Sequence, residues 1–294
     1  LFGNAQTMRN DNSSRFGKFI KLYISNNVIV GGHIENYLLE KSRISKTNYN
    51  EKTYHIFYLL CSNNHIIRKY GFKDATCYKL LKNSNYNYKI GEFDNLDKLI
   101  DIFYQFKFTE TDIDIIFCKI RLILELSNCE KKDDLENLLM NLTFILDKLD
   151  INEQILFNTL TVKVLSINNE EITKKFDDKE ILVNIKTYSE DLYEELFNYI
   201  ISQISYQLGD ISDKYISILD IFGFEIFDHN GYEQLCINYT NEVLQQIFNQ
   251  YIFRNEQTEY KKEDIDWEYI EYENNDDIID IFNGNKSIFS IINE

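Results

Sequence analysis

Two short polar stretches carry residue types suited to phosphate chemistry. The first is Asn10-Asp-Asn-Ser-Ser-Arg-Phe-Gly-Lys18, dense in small donors and acceptors around one arginine. Its adjacent hydroxyls, Ser13 and Ser14, can serve as a Mg2+ ligand and as a contact to a phosphate or a water. Arg15 beside them can pair with a carboxylate in a fixed fork geometry. The second stretch is Asp220-Ile-Phe-Gly-Phe-Glu225. Asp220 can hold water around a Mg2+, and Gly223 lets a backbone N–H approach a phosphate closely. Glu225 adds a second acid just beyond. Either stretch alone also fits an ordinary loop or turn. Their joint occurrence, with an arginine in one and a glutamate in the other, raises both.

These residues need elements to position them. Tyr215-Ile-Ser-Ile-Leu-Asp-Ile-Phe222 has the length and β-branched content of a buried strand, with Asp220 near its end. Asp228-His-Asn-Gly231 reads as a polar turn. Beyond it, Leu244, Ile247, Phe248, Tyr251 and Ile252 recur at helical spacing. A helix from Tyr232 to Tyr260 would be about 45 Å long at 1.5 Å per residue. A core strand, a turn and an amphipathic helix is the plain alternative for this whole segment.

Upstream, Phe19–Ile24 alternates as a strand, Asn26-Asn27 is a turn and Val28–Val30 leads into a second strand, together a hairpin. Ile34–Lys41 extends that strand or begins a helix, and Tyr54–Leu60 reads as helical. Phe72–Glu92 is irregular. Three apolar stripes predict core helices: one on Ile113, Ile116, Phe117, Ile120 and Leu124, one on Leu135, Leu138, Leu139, Leu142 and Leu149, and one on Leu192, Leu196, Ile200, Ile204 and Leu208. Thr161–Leu165 and Glu171–Thr173 flank Asn168-Asn169 as a short hairpin. Asn274–Asp277 is a predicted turn.

The 294 residues suffice for one large domain or two smaller ones, and 44% hydrophobic content is ample for a core. A net charge of −17 argues against non-specific nucleic-acid binding and against an anionic membrane surface. Five scattered cysteines form no CxxC pair, which suits a reduced, intracellular protein. Four dispersed histidines give no metal motif, and no apolar run is long enough for a membrane span.

The chain resembles the myosin motor domain. Asn10–Lys18 looks like switch I and Asp220–Glu225 like switch II. Asp228–Glu242 is similar to the start of the relay helix, and Glu259-Tyr-Lys-Lys262 with Ile265-Asp-Trp267 to its end and the relay loop. Phe2-Gly-Asn-Ala5, Tyr37-Leu-Leu-Glu-Lys-Ser-Arg43 and Tyr54-His-Ile-Phe-Tyr58 also fit. Kinesins share the two switch patterns but not these flanking segments. Departures fall in the middle: Glu125-Leu-Ser-Asn128 stands where the family has His-Leu-Gly-Asn, and Lys186–Asp191 replaces an Arg-Asp-Ala-Leu-Ala-Lys stretch. No Gly-x-x-x-x-Gly-Lys-Ser/Thr occurs among these residues.

The resemblance implies an α/β fold: part of the central mixed sheet of a P-loop NTPase-like motor core with flanking helices, plus a mainly helical upper subdomain. It divides the chain into switch I and transducer strands at 1–58, the upper subdomain at 59–214, the switch II strand and relay helix at 215–260, and the relay loop with a truncated end at 261–294. It implies ATP and Mg2+ as ligands, with Ser14 holding Mg2+ and Asp220 supporting it through water. Asn10 and Ser13 would contact the phosphates and the attacking water, Arg15 would pair with Glu225, and Gly223 would donate its N–H to the γ-phosphate. It further implies an actin filament as partner, contacted mostly outside this segment, light chains or cargo reached only through other regions, and a cytoplasmic, cytoskeletal location. A diverged myosin-like binding module without productive ATPase is the alternative.

Overall fold

The fold is taken from a computed structural model, in which residues 1–47, 50–82, 95–167, 170–227, 230–272, 274–284 and 286–293 are described. The expected turn at Asn168-Asn169, residues 83–92 of the stretch expected to be irregular, and two residues of the polar turn before Gly231 lie outside them; the described part of that stretch, 72–82, holds a 3-10 turn at Ala75–Cys77 and a short helix at Lys79–Lys82. The chain divides into two compact units, Leu1–Asp220 and Ile221–Glu294.

The first unit opens with two short antiparallel strands, β1 (Asn4–Ala5) and β2 (Ser13–Ser14), in the register Asn4↔Ser14 and Ala5↔Ser13. Then comes the expected hairpin, β3 (Gly17–Ser25) and β4 (Val28–Tyr37). Asn26 and Asn27 take φ values of 50° and 63°. Two left-handed residues in a two-residue loop match the natural twist of the paired strands, and asparagine tolerates that conformation. Ile34–Tyr37 therefore extends the strand, and a 3-10 turn follows at Lys41–Ile44.

The helices are α1 (His55–Ser62), α2 (Asn64–Tyr70), α3 (Lys79–Lys82), α4 (Leu96–Gln105), α5 (Glu110–Leu126), α6 (Lys132–Asn141), α7 (Thr143–Lys148) and α8 (Glu153–Thr161). After the hairpin β5 (Val162–Ile167) and β6 (Glu170–Lys175) comes α9 (Asp178–Tyr206), and strand β7 (Tyr215–Asp220) closes the unit. α5 begins on a Thr109–Asp112 capping box and is buried almost all round from Ile116 onward, as a central core helix is. α9 also starts on a capping box, Asp177 with Glu180, and lies against α5, β4 and the 3-10 turn. Its Tyr193 stacks on Tyr54 at 5.1 Å and donates to the Phe2 carbonyl at 2.7 Å, which ties the first residues into the core.

Where α9 ends, the chain crosses the edge of β4 at very short range. Gly32 N donates to Leu208 O at 2.9 Å, and Asp210 N to Val30 O at 3.2 Å. A Cβ built on Gly31 would sit 2.3 Å from the Asp210 carbonyl oxygen, and Gly209 has φ +97°. Both positions need glycine, one for the close approach and one for the left-handed backbone.

Three expectations are corrected. The strand at Tyr215–Asp220 forms, antiparallel to β3, but every residue in it is exposed. The sheet order is β4-β3-β7, so β7 is an edge strand with β3 alone beside it among the described residues. β-branched content favours a strand but does not say that its faces are covered. The second apolar stripe is two helices rather than one. Leu142 leaves the helical region at φ −103°, ψ 17°, while remaining buried, so the apolar face continues across the break. The predicted turn at Asn274–Asp277 is the beginning of a helix, with Asn274 Oδ1 accepting from Asp276 N at 2.9 Å.

The second unit holds α10 (Tyr232–Asn249), a π-helical turn (Gln250–Asn255), α11 (Glu256–Lys262), α12 (Asp276–Asn283) and α13 (Ile288–Asn293). The expected rod is thus helical throughout but underwound by one wide turn near its middle, which re-aims the side chains beyond it. The returning chain is clamped by Gln257, which accepts from Trp267 Nε1 at 3.1 Å and from Ile270 N at 2.8 Å. Tyr239 on α10 packs against Phe282 and Phe289.

Candidate functional site

In the first unit, the loop between β1 and β2 is knitted by short side chains. Asn10 Oδ1 accepts from Asn12 N at 2.9 Å, and Thr7 N donates to the Asn10 carbonyl at 2.8 Å. Asn4 Nδ2 donates to Asn12 Oδ1 at 3.0 Å, while its Oδ1 accepts from Ser14 Oγ at 3.2 Å. Ser13 and Ser14 are half-buried and Asn10 is exposed. The loop is thus a network of small hydroxyl and amide groups braced on a two-strand base.

Next in sequence, Arg15 is 2% exposed. Its N–H donates to Gly3 O at 2.7 Å, and its Nε lies 2.5 Å from Glu40 Oε2. Glu40 also receives Arg43 Nε at 2.8 Å and Arg43 Nη2 at 3.1 Å. Arg43 continues to Glu51 Oε2 at 3.2 Å and to the Lys52 carbonyl at 2.9 Å. Glu40 has its own N–H on Arg15 O at 3.0 Å, and its carbonyl accepts from Tyr54 OH at 2.9 Å. All these ionic groups are buried. Burial pushes the Glu40 carboxyl upward, but Arg43 and Arg15 together outweigh it and hold the group below its ordinary value. A carboxylate shared by two guanidiniums is an arrangement that would be very costly to leave half-made.

Asp220 lies at the start of β3 by register, opposite Lys18, and pairs with its Nζ at 2.9 Å. The pair is largely solvated, with Asp220 57% exposed, so it leaves carboxylate surface available to a water shell.

In the second unit, the stretch Ile221–Phe227 runs without regular structure into α10. Two asparagines one helical turn apart hold it. Asn238 accepts from Glu225 N at 2.6 Å and donates to Glu225 O at 2.8 Å, while Asn241 donates to Phe222 O at 3.0 Å. The Glu225 side chain is buried, and Gly223 between these anchors is exposed. A Cβ built on Gly223 meets nothing within 4 Å, so the space beside that backbone is open to a ligand.

Of the residues expected from sequence, Asn10, Ser13, Ser14, Arg15 and Asp220 belong to the first unit, and Gly223 and Glu225 to the second. The donor set is hydroxyl, amide and carboxylate oxygen, which fits a hard cation such as Mg2+ together with phosphate. Among the described residues, no group of three or more His, Cys, Asp or Glu side chains could hold a metal ion. Sequence reasoning missed Glu40 and Arg43 as the anchor of Arg15, and Asn4 as the partner of Ser14. It also missed Asn238 and Asn241; their i, i+3 spacing on a predicted helix was a visible signal, because it puts two amides on one face.

Comparison with known proteins places the whole chain, residues 1–294, in the family described as myosin head (motor domain). It is 41% identical over 287 residues to Myosin-1 of Saccharomyces cerevisiae, covering 92% of this chain and 15% of the yeast protein. It is 36% identical over 303 residues to Myosin-6 of Arabidopsis thaliana, covering 95% of this chain and 20% of that protein. Myosin-14 of the same plant is 35% identical over 319 residues, covering 100% of this chain and 20% of the relative. The chain therefore spans about a fifth or less of the length of these curated relatives.

Proposed function

The chain belongs to the myosin head (motor domain) family, and from that premise we propose that it forms part of a motor that hydrolyses ATP with Mg2+ and couples hydrolysis to actin-filament binding and movement. In this reading the sheet β4-β3-β7 is part of the central mixed sheet of a P-loop NTPase-like core. Residues 1–58 supply switch I and transducer strands, 59–214 the upper subdomain, 215–260 the switch II strand and relay helix, and 261–294 the relay loop. The motor would work on cytoskeletal filaments in the cytoplasm.

The Ser14 hydroxyl would hold Mg2+, and Asp220 would support its water shell. Bound Mg2+ supplies charge neutralisation at the phosphate oxygens. Asn10 and Ser13 would orient the phosphates and the attacking water, and the Gly223 N–H would donate to the γ-phosphate. Arg15 would pair with Glu225 to close the site and exclude bulk water. Phosphoryl transfer requires mostly positioning and charge stabilisation, and these groups are of the types that provide it. The observation that carries the reading is the buried fixing of Arg15 by Glu40, next in sequence to the half-buried Ser13 and Ser14. A loop that only linked two strands would not require a buried guanidinium beside it.

The test uses a complete motor that contains this segment. Arg15→Glu should abolish actin-activated ATPase while nucleotide still binds, and adding Glu225→Arg should partly restore turnover. Wild-type activity in the single variant would overturn the Arg15–Glu225 assignment. Loss of ATPase in the unmodified motor, with nucleotide or filament binding retained, would favour the non-hydrolysing module instead. The 294-residue chain alone lacks the Gly-x-x-x-x-Gly-Lys-Ser/Thr cradle, and calorimetry should find its ATP affinity weaker than micromolar.

A further inference from the structure

This is an acidic chain, with a net charge of −17, yet one cavity in the first unit is rimmed by lysines. It measures about 640 Å³ and lies among the 3-10 turn at Lys41–Ile44, α3, the end of α5 and the first half of α9. Its floor is apolar, built from Ile44, Leu80, Leu126, Leu182 and Ile185. Four lysines stand at its edge: Lys46 after the turn, Lys79 and Lys82 on α3, and Lys186 on α9. All four are exposed. One acid, Glu130, shares the rim and is paired with Lys79. Among the described residues, no carboxylate lies within ion-pairing distance of Lys46, Lys82 or Lys186.

Of the four side-chain hydroxyls in the wall, those of Ser45, Ser127 and Ser189 are already engaged, and the fourth belongs to Thr47. Ser127 Oγ donates to Leu124 O at 2.6 Å, Ser189 Oγ donates to Ile185 O at 2.8 Å, and Ser45 donates to Glu190. The charged donors left for an occupant are therefore ammonium groups, from three separate elements around an apolar floor. Cys129 at the wall is pushed up to about 12 by burial, so its thiol stays protonated at neutral pH and is no nucleophile. The cavity is equipped to bind rather than to react.

We propose that this cavity binds a small amphiphilic anion, an alkyl or aromatic body carrying one terminal carboxylate or phosphate. Its volume lies within the roughly 300–1,000 Å³ usual for small-molecule sites, and its apolar floor with a few convergent charges is the usual make-up of such a site. Local positive charge on an otherwise acidic surface draws an anion to this place and away from the rest of the molecule. The head group sits among Lys46, Lys82 and Lys186, and the body lies on Leu80, Leu126 and Ile185.

Calorimetric titration of the 294-residue chain with four ten-carbon probes below their micelle concentrations tests this: decanoate, decyl phosphate, decanol and decyltrimethylammonium. At least one anion is expected to saturate a single site, and the tighter of the two identifies the head group. Decanol should bind about tenfold or more weakly, and the cation not at all. Lys82→Glu with Lys186→Glu should weaken the anion about tenfold or more, while Lys163→Glu, on β5, leaves it unchanged. Leu182→Trp, which fills the wall, should remove binding of anion and decanol alike while the far-ultraviolet spectrum stays that of the unmodified chain. Absence of anion binding up to millimolar concentration, equal binding of decanol and decanoate, or an affinity indifferent to the paired lysine reversals would each overturn the proposal.

Discussion

The two polar stretches that define the candidate site are held by opposite means. In the first unit, Asn10–Lys18 is tied to a buried lattice in which Glu40 joins Arg15 and Arg43, and Arg43 reaches on to Glu51. In the second unit, Ile221–Phe227 is held through backbone atoms by the amides of Asn238 and Asn241, with Gly223 open between them. Charge buried in a core has few alternative arrangements, because any partner removed leaves an uncompensated ion. Amide-to-backbone hydrogen bonds each contribute only about 0.5–1.5 kcal/mol net, and water can replace them. Buried charge fixes the base of the first stretch, whereas the second is bonded by two amides on one helix.

That contrast can be broken experimentally. Glu40→Ala should have the largest effect, because it strands two buried guanidiniums; we expect a loss of about 3–5 kcal/mol in denaturant unfolding. A loss below about 1 kcal/mol would remove the distinction between the two stretches. The same lattice gives a pH signature. Glu40 titrates in the folded chain below its ordinary value of 4.5, so its contribution is fully present above that value and fades as pH falls through the folded one. Melting temperatures of the parent chain and Glu40→Gln should therefore converge progressively as the solution is acidified below pH 4.5. A constant gap from pH 7 to pH 3 would contradict this.

Asn238→Ala should cost less, about 1–3 kcal/mol for the two bonds to Glu225 and the backbone groups left behind. Hydrogen exchange should show the loss as faster exchange of the Glu225 amide, without change in α5. Gly223→Ala should be smallest, within about 0.5 kcal/mol, because nothing lies where its Cβ would go. A large loss of stability there would mean that the stretch is as tightly built as its counterpart.

Local chemistry made much of this legible in the sequence. Asn26-Asn27 announced a hairpin because few residues tolerate two successive left-handed positions. The stripes of α5 and α9 announced core helices through their period. What stayed hidden depended on partners distant in sequence. Nothing near Arg15 points to Glu40, 25 residues further on. The break at Leu142 has no glycine or proline to mark it, and the π turn at Gln250–Asn255 has no compositional sign. The polar clusters themselves were visible from residue type and spacing, whereas the anchors that make one of them rigid were not.

The two edges of the β4-β3-β7 sheet also differ. Residues 208–210 cross the β4 edge, and their backbone hydrogen bonds occupy Val30 and Gly32. On the other edge, β7 presents Ile216, Ile218 and Leu219, each about half exposed. An uncovered apolar edge strand is a template for strand addition. For a preparation of this chain by itself, that places the aggregation risk in one six-residue element. A lysine in place of Ile218, or brief storage at low concentration, would protect solubility more than any change to the helical core.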